Sequence, residues 1–228
     1  MFIAITLILA QSFFAQPAAQ RVRQPREVVE AYRVCERFQE LMAEDLDFDR
    51  AFEATFTKNA KRRREVAITE GEFGNIDFSS VDDASLIDAF KARMQIFYLM
   101  LAMVSSENKS ELELLFPPKA FSEQKPSQAP AEFRSYAEQL KSEAKTLRAN
   151  FNQLASRNPA VAESIRKFKM ELTKKITPPS HVVKALTAYS RGQVLGLNEK
   201  YYQIGDYAVI REGREMRIIG IRFFSRLF

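Results

Sequence analysis

The sequence predicts an α+β fold: N-terminal helices and a buried central helix against a C-terminal three-stranded antiparallel meander, with a helical-hairpin insertion. Three observations predict this class. Residues 96–104 are apolar on every helical face, which is typical of a helix buried all round. Residues 133–154 carry apolar side chains at alternating steps of four and three, which indicates a helix with a packed seam. From His181 onward, alternating β-branched and aromatic residues favour strands.

An apolar leader of residues 1–20 precedes the predicted single domain of residues 21–228. Residues 2–10 read FIAITLILA, small and polar residues follow, and the first charge is Arg21. This order is typical of a secretory signal peptide, and the stretch is shorter than the roughly 20 apolar residues of a membrane span. We therefore expect export, to the periplasm or outside the cell, after cleavage between Ser12 and Gln20. The alternative is an uncleaved leader that keeps the protein at a membrane.

Charge is distributed unevenly along the chain. Residues 21–118 carry 14 Lys and Arg against 19 Asp and Glu, whereas residues 119–228 carry 20 against 10. The basic half is either ordinary solvated surface or a face that meets an anionic partner, such as an envelope surface. Because export removes a protein from the cell's nucleic acid, we expect no nucleic-acid partner.

The N-terminal half predicts three helices. The first runs from Gln24 to Asp47, because its apolar residues recur at helical spacing: Val28, Tyr32, Cys35, Phe38 and Met42. A short second helix places Phe52 and Phe56 on one face. Residues 65–79 are expected to form a loop with a short strand. The buried helix then spans Asp83 to Ser105, with Ser80 or Asp82 as its cap.

The C-terminal half predicts the insertion and the meander. Residues 119–178 comprise a proline-rich linker and a hairpin of two helices, separated at Asn158 and Pro159, whose apolar seams are expected to pack on each other. Residues 181–228 form the meander, with strands at Val182–Leu197, Tyr201–Arg211 and Glu215–Phe224. Glu212 and Gly213 form a tight turn between the last two strands.

Two motifs resemble the nuclear transport factor 2-like superfamily of cone-shaped α+β domains. Asp49, Phe52, Phe56 and Thr57 are similar to that family's second helix, and residues 207–221 are similar to its closing hairpin. The likeness covers the two ends of the chain, and the hairpin of residues 119–178 has no counterpart in the basic fold. It implies a cone in which a curved sheet wraps a long helix. The family includes isomerases, hydratases, binding modules and association domains, so the resemblance leaves the function open.

The chain has one Cys and one His, and this excludes several chemistries. Cys35 lies on the apolar stripe of the first helix, so we expect a buried, unreactive thiol. Asp45, Asp47 and Asp49 alternate, but they lack the glycine and terminal glutamate of a calcium loop and are expected to form a helix junction. We therefore predict no metal site and no cofactor.

Candidate site residues remain as hypotheses. A pocket acid or base would come from His181, Asp206 or Tyr207, and a ligand would meet Tyr189, Tyr201, Tyr202 and Arg217. The basic cluster is either solvated surface or an anion-binding site, formed by Lys61, Arg62, Arg63 and Arg64. We predict a non-enzymatic exported module that binds a protein or a small molecule. The alternatives are an isomerase or hydratase that uses a pocket carboxylate or His181, and a protein that binds anionic envelope surfaces.

Overall fold

The computed structural model describes residues 26–71, 73, 76–104, 130–174, 185–187 and 200–221. Within these ranges lie six helices: α1 (Arg26–Asp45), α2 (Phe48–Thr55), α3 (Ala60–Glu70), α4 (Asp83–Val104), α5 (Pro130–Arg157) and α6 (Pro159–Leu172). They are followed by four strands: β1 (Ala185–Thr187), β2 (Lys200–Ile204), β3 (Tyr207–Glu212) and β4 (Glu215–Ile221). The predicted α+β class is confirmed. The leader, most of the linker, His181 and Tyr189 lie outside the described residues.

An aromatic cluster joins α1, α2, α4 and the sheet. The Phe38 ring lies 5.7–6.3 Å, between centroids, from four neighbouring rings on these elements: Phe48, Phe56, Tyr98 and Tyr207. All five side chains are buried. Edge-to-face ring pairs of this kind add about 0.5–1.5 kcal/mol each beyond the burial of their area. Aromatic side chains of α1, α2, α4 and the sheet therefore meet in the core of the domain.

Helix α3 corrects one prediction. Residues 65–70 were expected to form loop or strand, but they continue the helix that Asn59 caps by accepting a hydrogen bond from the backbone nitrogen of Arg62 (3.1 Å). The helix ends only at Gly71. A strong cap and a run of good helix formers outweigh the short apolar alternation of Val66 and Ile68.

Helix α4 is the buried central helix that the sequence predicts. Asp82 caps it, because its carboxylate accepts from the backbone nitrogen of Ser85 at 2.9 Å. Its buried apolar residues run from Leu86 to Met103, and it contacts α2, α3, α5 and α6. No helix of the described ranges is both long and apolar enough to cross a membrane.

The predicted helical hairpin packs onto the helical core. Asn158 separates α5 from α6, and its side chain caps α6 by accepting from the backbone nitrogen of Ala160 (3.0 Å). The α5 seam is buried mainly along α4, and α6 lies against α1 and α4 as well as α5. The two seams therefore pack chiefly on the core and only in part on each other. This contact with an already buried helix fixes where α5 presents its polar side chains.

The strands form one antiparallel sheet in the order β1-β2-β3-β4. The predicted single strand Tyr201–Arg211 is instead a hairpin, because Gly205 adopts a positive φ of 55° and turns the chain before Tyr207. The sheet packs on α1, and α3 reaches β4. On the edge of β4, Thr57 donates from its backbone nitrogen to the carbonyl of Ile218 at 3.0 Å, which ties the α2–α3 connection to the sheet.

Candidate ligand pocket

A pocket of about 220 Å³ opens between α2, α4 and α5. Two small residues line it, Ala92 on α4 and Ala144 on α5, and their short side chains leave space between the helices. Most of the remaining lining is charged: Asp47, Asp49, Asp88, Lys91, Lys141, Lys145 and Arg148. The pocket is therefore a polar cleft at the junction of three helices.

Gln95 of α4 lines the pocket and holds the α1–α2 junction. Its side-chain carbonyl accepts from the backbone nitrogen of Phe48 at 2.9 Å, and its amide donates to the carbonyl of Leu46 at 2.7 Å. Leu46 has a positive φ of 55°, an uncommon conformation for a residue with a side chain. Gln95 is 8 % exposed, so both bonds lie away from water. They fix the position of α2 and hence of its aspartates.

Asp47 and Arg148 connect α2 with α5. Asp47 caps α2, and its other carboxylate oxygen pairs with Arg148 at 2.6 Å. Partial burial alone would raise the pKa of Asp47, but hydrogen bonds from the backbone nitrogen of Arg50 and from Arg148 lower it below its usual range. The side chain is therefore ionised at neutral pH. Asp45, beside it, pairs with Arg50 at 3.4 Å and with Arg148 at 3.7 Å.

Lys91 projects from α4 among three carboxylates. Its ammonium lies 2.5 Å from Asp49, 3.3 Å from Glu53 and 3.9 Å from Asp88. Burial would lower the pKa of Lys91, but the hydrogen bonds and charges of Asp49 and Glu53 outweigh burial and raise it. Lys91 consequently stays protonated inside the pocket.

Lys145 differs from the other charged residues of the lining. Lys141 pairs with Asp88 at 2.8 Å, whereas Lys145 has no ion pair or hydrogen bond with any residue of the described ranges. Its helical neighbours at three and four positions are Lys141, Ser142, Arg148 and Ala149, none of them acidic. The pocket therefore contains an exposed cation that the fold leaves uncompensated.

The site residues expected on the sheet lie apart from this pocket. Tyr207 is 3 % exposed, and its burial raises its pKa well above the usual value. Tyr202 donates its hydroxyl to Glu27 of α1, and burial together with that hydrogen bond raises its pKa to about 12. Tyr201 is also buried. These three tyrosines are core or helix–sheet contacts among the described residues.

Asp206 and Arg217 occupy the ends of the hairpins. Asp206 lies in the β2–β3 turn, partly exposed. Arg217 donates to the carbonyl of Ala54 at 2.7 Å and pairs with Glu215, so it joins β4 to α2. Neither residue lines the α2–α4–α5 pocket.

Three arginines of the basic cluster pair with groups of the domain itself. Arg62 lies 3.5 Å from Glu212, Arg63 forms a two-pronged pair with Glu53, and Arg64 donates to the carbonyl of Val81 at 2.8 Å and pairs with Asp83. Their side chains are only 16–22 % exposed. Lys61 alone of the cluster is exposed. The cluster therefore attaches α3 to α2, α4 and the sheet.

Cys35 and the alternating aspartates match the sequence-based expectation. Cys35 is fully buried, and burial raises the pKa of its thiol far above the usual value, which makes it unreactive at neutral pH. Asp47 is a helix cap, as expected for a junction. Within the described part of the chain, no three side chains of the metal-ligating types are grouped so as to hold a metal ion.

Sequence reasoning missed the pocket, although two signals for it were present. Lys141, Lys145 and Arg148 lie at i, i+4 and i+7, which places three cations on one face of α5. Ala144 occupies a position of the apolar seam where a larger residue would fill the interface. Comparison of the chain with protein-family models, with curated proteins and with solved structures finds no match.

Proposed function

We propose that this chain is an exported, non-enzymatic binding module and that the α2–α4–α5 pocket is its ligand site. The observation that carries the proposal is Lys145, a cation with no ion pair among the described residues, at a cleft whose other charges are paired. The fold holds the pocket walls firmly, through Gln95 on one side and through the Arg148–Asp47 pair on the other. A preformed polar cleft of this kind binds a ligand at low cost in ordering.

An NMR titration of the full chain with a panel of small polar metabolites tests the proposal. A ligand of the pocket should shift backbone amide signals of α2, α4 and α5 around Asp49, Ala92 and Ala144. Ala144→Leu fills the cleft and should abolish those shifts. Ala149→Leu makes the same change at an exposed position of the same helix and should leave them intact.

Thermal melts of both variants separate loss of binding from loss of folding. A panel that leaves the pocket amides unshifted, or shifts that persist in a folded Ala144→Leu variant, would contradict the proposal. The isomerase or hydratase alternative has less support at this pocket. It relies on a pocket carboxylate or on His181: the pKa of Asp47 is lowered, which disfavours this carboxylate as a base, and His181 lies outside the described residues.

A second candidate function, binding to an anionic envelope surface, is favoured by the outer face of α6. Met170 is 55 % exposed there, beside Arg166, Lys167 and Lys174, of which Arg166 pairs with Glu163 and Lys174 with Glu171, so Lys167 supplies the available charge. A mixed basic and apolar helix face is typical of interfacial binding. Sedimentation with vesicles containing phosphatidylserine tests it. Met170→Ser combined with Lys167→Gln should reduce binding at low salt, and binding only to neutral vesicles would contradict it.

A further inference from the structure

The ion pairs of the pocket lining determine which net charge a ligand needs to fit the pocket. Asp47 pairs with Arg148 at 2.6 Å, Asp88 with Lys141 at 2.8 Å and Asp49 with Lys91 at 2.5 Å. Each lining carboxylate therefore has its own cation. Lys145 remains, and the lining carries one net positive charge.

The size of the cleft limits the ligand further. The volume of the cleft is about 220 Å³. It is below the roughly 300–1,000 Å³ of pockets that take drug-sized ligands. A ligand that lies wholly within the cleft therefore has only a few heavy atoms.

On the basis of the proposed function, we infer that the pocket selects a small organic monocarboxylate, whose charge pairs with Lys145. A second negative charge on the ligand would lie among three aspartates whose cations are already engaged. A neutral ligand would leave Lys145 paired only with water. One carboxylate neutralises the lining without breaking an existing ion pair, and polar groups elsewhere on the ligand can hydrogen-bond to the paired side chains.

The probes are lactate, its neutral amide lactamide, and the dianion succinate, titrated into the ¹⁵N-labelled full chain at constant ionic strength. We expect lactate to bind most tightly. Lys145→Gln should weaken lactate binding about two- to fivefold, the range expected for one exposed ion pair. Lys167→Gln removes the same charge from α6 and should leave the affinity for lactate unchanged.

The outcomes separate this inference from the proposed function. If lactate does not bind, or if Lys145→Gln does not weaken it, the monocarboxylate inference is overturned. If lactamide or succinate binds the pocket as tightly as lactate, the cleft is a ligand site but the charge selection is wrong. If none of the three probes, nor the metabolite panel, shifts the pocket amides, the proposed function fails as well.

Discussion

The basic cluster of α3 and the basic face of α5 look alike in the sequence and differ in the fold. On α3, the three arginines form ion pairs with Glu212, Glu53 and Asp83, so their charges hold α3 to its neighbouring elements. On α5, Lys141 and Arg148 are paired in the same way, but Lys145 between them has no ion pair with any described residue. A basic run therefore indicates a binding site only where its charges exceed those of the carboxylates that the fold brings to it.

The largest expected effect is a loss of fold stability when an arginine of the α3 cluster is removed. Arg64→Ala removes the donor to the carbonyls of Phe78 and Val81 and the partner of Asp83. Leaving such part-buried acceptors unpaired costs about 2–3 kcal/mol in the free energy of unfolding. Urea denaturation measures it.

Lys61→Ala is the control, because Lys61 belongs to the same cluster but is exposed. We expect its free energy of unfolding to stay within about 0.5 kcal/mol of the parent protein. Equal losses in the two variants would mean that the arginine contacts of α3 do not stabilise the fold.

A smaller effect on the stability of the fold is expected at acidic pH, through Glu53. Partial burial would raise the pKa of Glu53, but Arg63 and then Lys91 outweigh burial and lower it from 4.5 to about 2. A lowered pKa in the folded state means that the carboxylate stabilises the fold above pH 4.5. That contribution is lost as the pH falls from 4.5 towards 2.

Glu53→Gln should therefore lose stability at pH 7 and show a weaker dependence on pH below 4.5. Because Glu53 is 41 % exposed, solvent screening limits the loss to about 1 kcal/mol. Urea denaturation at pH 7, 4.5 and 3 gives the difference between variant and parent. A difference that stays constant over this range would show that Arg63 and Lys91 do not lower the pKa of Glu53.

The sequence predicts the elements of this fold better than the contacts between them. Periodicity predicts α1, α4, α5 and α6, since an apolar stripe is a local property of the chain. The Gly205–Asp206 turn was also a local signal, a two-residue loop between apolar runs, and sequence reasoning passed over it.

The partners of charged side chains, by contrast, cannot be predicted from a local pattern. Glu212 accepts hydrogen bonds from Thr57, Lys58 and Asn59 across more than 150 positions of sequence, and no pattern of one segment reveals such a partner. The pocket likewise depends on Ala92 and Ala144 lining one cleft although their helices are distant in the chain. Only the arrangement of α4 and α5 shows that Lys145 has no ion pair within the described part of the chain.

The smallest expected effect is on the free energy of unfolding of Lys145→Gln. The matched control, Lys167→Gln, should change this free energy in the opposite direction. Lys145 has Lys141 and Arg148 as its charged helical neighbours at three and four positions, whereas Lys167 of α6 has Glu163 and Glu171. Gln has nearly the helix propensity of Lys, so the two Lys→Gln variants report the charge alone. Like-charge helical neighbours destabilise and opposite ones stabilise by about 0.2–0.5 kcal/mol.

Lys145→Gln should therefore raise the free energy of unfolding by a few tenths of a kcal/mol, and Lys167→Gln should lower it by a similar amount. Chemical denaturation at low salt resolves the difference between the two variants, and about 1 M salt should remove it. A loss of stability in Lys145→Gln would mean that the fold does compensate this charge. A gain would mean that Lys145 is retained at a cost to stability, which is expected of a residue kept for binding.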